Sequence, residues 1–203
     1  EVLDDVTGLY FNATRFELTK DDDLYYSAMI LLSVNTEVKY RYVRMNDFTD
    51  YEFTSRQEQV RFRVLRVNGP EIILDHISGW INEPYTGPAG RITGQVIDQS
   101  NNAPIPNLLV AAGGMQTFTS TDGTFVISGL MPGVHNLVLY SMDGAYDTFQ
   151  QGALVADGAN TPVSVFLTRR PTTEVVFSVE VPKDFTNTEP LRLVSNSLSL
   201  GNA

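Results

Sequence analysis

The sequence has no cysteine, few basic residues and no long apolar run. Without cysteine the chain can form no disulfide, no thiolate metal site and no cysteine nucleophile. Lys and Arg number 14 against 24 Asp and Glu, so the formal net charge is −10. Nucleic acids and anionic membranes bind through excess Lys and Arg, so we expect neither as a partner. No run of about 18 apolar residues occurs, and we expect no membrane insertion.

Residues that carry catalysis or bind metals are also scarce. The chain has two histidines, His76 and His135, and they do not form the H-x-x-x-H spacing of a zinc site. Three adjacent carboxylates, at residues 21–23, lack the spacing of a calcium loop and indicate a solvated hairpin tip. No nucleophile elbow, P-loop or dinucleotide fingerprint is present. We therefore predict no catalytic, cofactor-binding or metal-binding residues, no cofactor and no enzyme activity.

What the chain does contain is apolar residues in period-2 alternation, interrupted by turns every 8–12 residues or so, which is typical of all-β sandwiches. Asp-Gly pairs at residues 122–123, 143–144 and 157–158 are turn signals, because Gly tolerates positive φ. Residues 72–74 are predicted to form a short buried strand. Proline- and glycine-containing linkers divide the chain into residues 1–86, 87–170 and 171–203.

The middle part carries an ordered set of turn and core motifs. They are Ile92-Thr93-Gly94-Gln95-Val96, Ala103-Pro104-Ile105-Pro106-Asn107, Thr121-Asp122-Gly123-Thr124-Phe125 and Leu130-Met131-Pro132-Gly133. In this order they resemble the carboxypeptidase regulatory-like domain, a small transthyretin-like β-sandwich. The resemblance covers about 80 residues. It implies a structural module, seldom catalytic and common in large extracellular bacterial proteins.

The flanking parts resemble the starch-binding family of carbohydrate-binding modules. The residues that carry this resemblance are Glu37-Val38-Lys39-Tyr40-Arg41-Tyr42-Val43, Glu52-Phe53, Val60-Arg61-Phe62-Arg63-Val64 and Asp75-His76-Ile77-Ser78-Gly79-Trp80. The opening strands of that family resemble residues 175–181 and 191–196, which here come last. We therefore predict two antiparallel β-sandwich domains, Ig-like and transthyretin-like, the first completed by C-terminal strands from an adjacent repeat or subunit.

The segment expected to join one repeat to the next alternates apolar and polar residues. The residues predicted to form this inter-repeat strand are Val175, Phe177, Val179, Val181, Leu191 and Leu193. A strand without a partner is an open edge that recruits other chains. The predicted function is therefore a structural, non-enzymatic module of an extracellular or cell-surface protein, in a bacterium, whose partners are other copies or repeats of itself. Three alternatives remain: a covalent tandem repeat, strand donation between chains, and a tail that folds back on its own N-terminal unit.

A carbohydrate-binding module is the alternative function, with polysaccharide as the partner. Sugar recognition relies on exposed aromatic side chains that stack on sugar faces, and the chain has a single tryptophan, Trp80. Trp80 and Tyr85 are the candidate glycan contacts. Packing at a domain junction is the competing interpretation for Trp80, because large aromatic residues are mostly buried.

Basic residues also alternate on two predicted strands. Lys39 and Arg41 share one parity, as do Arg61 and Arg63, so each pair lies on one face of its strand. If the two strands pair, the four residues form a basic stripe that could dock on an acidic surface of a neighbouring copy. The competing interpretation is a solvated face in which cross-strand glutamates such as Glu52 and Glu58 neutralise the basic residues.

Overall fold

The computed structural model describes residues 2–3, 10–11, 14–45 and 49–182. Every regular element in these ranges is a β-strand, so the all-β class is confirmed. The strands are β1 (Val2–Leu3), β2 (Tyr10–Phe11), β3 (Thr19–Lys20), β4 (Tyr26–Ser27), β5 (Glu37–Tyr40), β6 (Val43–Met45), β7 (Thr49–Tyr51), β8 (Arg63–Arg66), β9 (Gly90–Asp98), β10 (Leu109–Ala112), β11 (Met115–Phe118), β12 (Thr124–Leu130), β13 (Gly133–Tyr140), β14 (Phe149–Val155) and β15 (Asn160–Leu167).

Strands β9 to β15 form a two-layer sandwich, which we call the second unit. One sheet has the order β11-β10-β13-β14 and the other has the order β12-β9-β15. The pairs are antiparallel except β9 with β15, which run parallel. The parallel pair arises because the chain changes sheets between β14 and β15, at a turn where Gly158 has φ +63°. The described sheets are therefore antiparallel with this single exception.

The core of the second unit comes from the alternation of its strands. Ile92 and Val96 of β9 and Leu137 and Leu139 of β13 are fully buried between the sheets. Gly94 also has a packing role, because a Cβ there would lie 2.5 Å from the ring of Phe125. The ring thus crosses β9 where only glycine leaves room for it.

Residues 37–83 form what we call the first unit, built from short antiparallel pairs. Strand β5 pairs with β8 and β6 pairs with β7, each as a two-stranded sheet. The N-terminal pairs β1–β2 and β3–β4 are separate again. Residues 72–74, which the sequence predicted as a strand, have no strand structure, and Ile72 is exposed. That prediction was wrong.

The two units share an apolar contact. Phe62 and Val64 of the first unit pack on Leu109 and Val138 of the second, with Tyr140 beside them. Because Leu137 and Leu139 face the sandwich core, β13 is buried on both of its faces. The first unit therefore covers the outer face of the four-stranded sheet.

Hydrogen bonds fix the register of this contact. The Gln150 side chain accepts from the Arg66 amide at 2.9 Å and donates to the Arg66 carbonyl at 3.3 Å, as a strand neighbour would. Gln116 donates to the Phe62 carbonyl at 2.8 Å. The Ser55 hydroxyl donates to the Gly129 carbonyl. The backbone groups of Phe62 and Arg66 thus find their hydrogen-bond partners in side chains of the second unit.

Candidate assembly surface and junction cluster

The segment that follows the second unit is apolar and exposed. The last backbone hydrogen bond between described residues before this segment is that of the Arg170 amide, which donates to the Ala145 carbonyl at 2.8 Å. From residue 172 to 182, no described residue makes a hydrogen bond or strand pairing with another described residue. Phe177 is 61% exposed and Val179 is 73% exposed. Among the predicted connector residues, Val175 and Val181 are likewise exposed, and Leu191 and Leu193 lie outside the described residues.

A second exposed apolar segment lies near the N-terminus, at residues 24–34. Met29 and Leu31 are 97% and 96% exposed, and Ile30 and Leu32, of the opposite parity, are partly exposed. Apolar residues at both parities are typical of a strand that is buried on both faces. Within the described residues this segment pairs only through Tyr26 and Ser27, at its start. It therefore presents apolar surface of the kind that marks an interaction site.

The strand that follows this segment in the sequence, β5, has an open edge among the described residues. Strand β5 is bonded along one side to β8, and no described strand lies along its other side. A two-stranded sheet is marginal on its own, and its unpaired backbone groups can accept a further strand. The open β5 edge of the first unit and the uncovered apolar side chains of residues 24–34 together form a candidate acceptor for an added strand.

A closed ionic cluster lies on one face of the β5–β8 pair, opposite to the face that packs on the second unit. Arg63 is 5% exposed and Glu52 is 0% exposed. The Arg63 guanidinium donates to both Glu52 carboxylate oxygens, at 2.7 Å from Nη2 and 3.2 Å from Nε, and to Asp75 Oδ1 at 2.9 Å. Tyr40 and Tyr42 donate their hydroxyl protons to Asp75 Oδ2 at 2.7 and 3.0 Å. Every charge in the cluster therefore has a partner, as burial requires.

The electrostatics of the cluster follow from burial and charge pairing. Burial acts to lower the pKa of Arg63, but attraction and hydrogen bonds from Glu52, together with Asp75, outweigh it and raise that pKa. Burial and the neighbouring Asp75 carboxylate raise the pKa values of Tyr40 and Tyr42. The guanidinium stays charged and the phenols stay neutral across the physiological pH range.

The predicted basic stripe is not formed, and Arg63 is the clearest correction. The register places Lys39 opposite Val64 and Tyr40 opposite Arg63, so Lys39 and Arg63 lie on opposite faces of the sheet. The Lys39 ammonium lies 4.8 Å from the ring centre of Phe62. Arg41 lies over Tyr51 at 4.4 Å, and Arg61 is exposed. Glu52 does neutralise an arginine, as the competing interpretation proposed, but the pair is buried instead of solvated.

The candidate glycan contacts both have partners within the chain. The Arg44 guanidinium lies 5.0 Å from the ring centre of Trp80, and the Trp80 backbone exchanges hydrogen bonds with Glu83 at 3.0 and 3.1 Å. The Tyr85 hydroxyl donates to the Pro88 carbonyl at 2.7 Å. Arg44 thus lies where a stacked sugar would have to bind on that face of Trp80. This arrangement does not favour a sugar platform.

The structure brings together two residues that the sequence does not connect, His76 and His135. Their ring centres are 5.3 Å apart across the contact between the units. Within the described residues, no group of three or more His, Asp or Glu side chains is placed to hold a metal ion. The described part of the chain also has no helix long and apolar enough to cross a membrane.

Comparison with known families bears on the second unit. Residues 91–168 match the carboxypeptidase regulatory-like domain. The resemblance read from the motifs of that stretch is confirmed. The match covers the two sheets of the second unit and leaves the first unit outside it. The resemblance of the flanking parts to starch-binding modules is not confirmed. A search of curated proteins found no significant match.

Several solved structures are similar to part of the chain. The minor pilin GBS52 of Streptococcus agalactiae is 14% identical, with a TM-score of 0.36 over 47% of this chain and 51% of the pilin. The group B streptococcus pilus 2b backbone protein is 17% identical, with a TM-score of 0.34 over 53% and 44%. BcpA, the major pilin subunit of Bacillus cereus, is 12% identical, with a TM-score of 0.34 over 43% and 32%. The chain thus spans about half, or less, of these pilins, and the likeness is too low to indicate function.

Proposed function

We propose that the chain is a structural, non-enzymatic module of a bacterial extracellular surface protein or filament. Copies join head to tail when residues 174–182 of one copy add a strand to the first unit of the next. The observation that carries the proposal is the exposed, alternating segment after the second unit, which has no partner among the described residues. The match of residues 91–168 to a regulatory-like domain is consistent with a structural role.

The direction of assembly follows from where donor and acceptor lie. The donor begins after Arg170, beyond the last strand of the second unit, and the acceptor surface is the β5 edge with residues 24–34. Two different surfaces of the same chain make a heterologous contact. Such contacts form open filaments when the rotation between subunits does not close a ring.

The free energy of association can be estimated from the apolar side chains of residues 174–182. Burial of Val175, Phe177, Val179 and Val181 at about 1.5–3 kcal/mol each gives about 6–12 kcal/mol. Association costs of about 4–15 kcal/mol must be subtracted. Four side chains alone therefore give weak to moderate association, and the backbone pairing of an added strand supplies the remainder. A covalent tandem repeat removes most of the association cost, because the donor is then held at high effective concentration.

The test compares two substitutions of opposite parity in the donor. Val179→Asp places a charge in the predicted contact, while Ser178→Asp places the same charge on the other face of the strand. Light scattering across a concentration series should show mass above 22.5 kDa for the wild type and for Ser178→Asp, and a monomer for Val179→Asp. Electron microscopy should show filaments only for the first two.

Two outcomes would count against strand complementation. If the wild type stays monomeric at every concentration and residues 174–182 resist proteolysis, the tail folds back on its own first unit. If Val179→Asp and Ser178→Asp weaken assembly equally, the parity of the donor strand plays no part in the contact.

A further inference from the structure

Asn68-Gly69 is the only Asn-Gly pair in the sequence, and it lies in the bend that follows β8. In such a pair the backbone nitrogen of the glycine can attack the side-chain carbonyl of the asparagine, because glycine has no Cβ to block the approach. Asp-Gly pairs react through the same ring, with loss of water instead of ammonia. The sequence has three of them, at residues 122–123, 143–144 and 157–158. The four pairs can therefore be compared within one chain.

Hydrogen bonding of the glycine amide distinguishes the four pairs. In each Asp-Gly pair this amide donates to a backbone carbonyl. The bonds are Gly123 to Ser120 at 2.9 Å, Gly144 to Ser141 at 3.1 Å and Gly158 to Ala89 at 3.2 Å. The Gly69 amide donates to no group among the described residues. A nitrogen that is held in a hydrogen bond must leave it before it attacks, so Asn68-Gly69 is the pair that the fold leaves reactive.

The bend also has room for the reaction. Asn68 is exposed, and it lines an open groove of about 370 Å³ between the residues after β8 and strands β13 and β14. A Cβ placed on Gly69 would meet no heavy atom within 4 Å apart from its neighbours in the chain. The ring that joins the Asn68 side chain to the Gly69 nitrogen can thus form without a clash, and water can reach it.

We propose that Asn68 is a site of spontaneous, irreversible modification, at which water converts the asparagine to aspartate and isoaspartate. The Gly69 nitrogen forms a bond to Cγ of Asn68, and the bond from Cγ to Nδ2 breaks. Nδ2 leaves as ammonia with the proton that the Gly69 amide gives up. Water then opens the cyclic imide at either of its two carbonyls, and nothing is oxidised or reduced. One opening gives aspartate, and the other gives isoaspartate, whose main chain runs through the side-chain carbon.

The bend is bracketed by two contacts to one side chain of the second unit. The Arg66 amide donates to Gln150 Oε1 at 2.9 Å, and Gln150 Nε2 lies 3.4 Å from the Glu71 carboxylate. Isoaspartate lengthens the main chain between Arg66 and Glu71 by one carbon atom, so the two contacts no longer fit Gln150 together. Either product also adds a negative charge to the groove that Glu71 lines, and like charges repel. Conversion of Asn68 therefore weakens the contact between the two units as the protein ages.

The experiment incubates the full chain in buffer and maps the modification by mass spectrometry. Trypsin cleaves after Arg66 and Arg91, so Asn68 is read in the peptide of residues 67–91. That peptide also contains Asn82, which no glycine follows, as an internal control. We expect the peptide mass to rise by the difference between a hydroxyl and an amino group, at Asn68 alone. The rise should be faster at mildly alkaline pH, where the attacking nitrogen loses its proton more readily. An isoaspartyl methyltransferase should label the aged peptide.

Gly69→Ala is the matched control variant. It adds only the Cβ that blocks the attack, in open space and at a φ outside the left-handed region, so the variant should fold as the wild type does. The modification of Asn68 should be lost in this variant. In the aged wild type, but not in aged Gly69→Ala, hydrogen exchange of the Arg66 amide should become about two- to tenfold faster, which corresponds to the loss of one hydrogen bond.

Three results would contradict the proposal. If Asn68 stays unmodified in the wild type while a free peptide of residues 65–72 is converted, the folded bend protects it. If conversion is equal in the wild type and in Gly69→Ala, the Gly69 nitrogen is not the attacking group. If Asn68 is converted and the exchange of the Arg66 amide does not change, the effect on the contact between the units is refuted.

Discussion

The substitution Arg63→Met tests the buried ionic cluster beside the contact between the two units. Methionine keeps much of the length of the arginine side chain but removes the guanidinium that donates three hydrogen bonds to Glu52. Among the described residues, Glu52, which is 0% exposed, would keep a single donor, the Tyr42 amide at 3.0 Å. Asp75 would keep the two tyrosine hydroxyls. The variant thus leaves one carboxylate almost without compensation inside the protein.

The expected cost is large. Breaking a buried ion pair by removal of one partner typically destabilises a protein by about 3–5 kcal/mol. A domain of this size loses about 2–4 °C in melting temperature per kcal/mol, so the melting temperature should fall by about 6–20 °C.

Chemical denaturation measures this loss, and Arg61→Met is the matched control. Arg61 is the same residue type two positions away and is exposed, so its substitution should cost about 0–1 kcal/mol. The double variant Glu52→Gln with Arg63→Met removes the stranded charge and should recover part of the loss, with a coupling energy of about 0.5–3 kcal/mol. If Arg63→Met costs no more than Arg61→Met, the cluster is open to water and the reasoning is refuted.

Two further predictions concern the second unit. Leu137→Ala should cost about 2–5 kcal/mol in thermal denaturation, because its side chain is fully buried between the sheets, whereas Val126→Ala on an exposed face of β12 should cost little. Hydrogen bonds from Ser120 and Thr124 lower the pKa of Asp122 to about 2. The Asp122 contribution to stability is therefore present above the ordinary carboxyl pKa of about 3.9 and is lost as pH falls toward 2. Asp122→Asn should flatten the stability curve in this acid range and lower the neutral stability toward the value that the wild type has in acid.

The fold of the second unit could be predicted because its motifs are set by local backbone requirements. Gly123 has φ +74°, and a Cβ there would also lie 2.5 Å from the Val96 carbonyl. Gly94 leaves space for the Phe125 ring. Such constraints act within a few residues or between neighbouring strands, so they produce motifs that can be recognised in the sequence. The motif resemblance and the family match accordingly coincide over residues 91–168.

The junction could not be predicted, because it depends on long-range register. The alternation around Arg63 indicates one apolar and one solvated face, and the structure buries Phe62, Arg63 and Val64 alike. The second unit covers one face, and Glu52 with Asp75 closes the other. A shift of one residue in the pairing exchanges the faces of a strand, and no local signal fixes that register. The approach of His76 to His135 depends on the same contact and is equally hidden in the sequence.

Substitutions in residues 174–182 and substitutions at the contact between the two units should have different effects. This difference tests the proposed architecture as a whole. In a head-to-tail filament, tension enters a copy through the segment after Arg170 and leaves through the first unit, so it must cross the contact made by Phe62, Val64 and Val138. Arg63→Met should therefore lower the unfolding stability of each copy while the donor segment still binds. Val179→Asp should abolish binding while the unfolding stability stays unchanged, because that side chain is exposed in the single chain. A filament whose assembly responds to Arg63→Met as strongly as to Val179→Asp would place the acceptor surface at the junction instead of at the β5 edge.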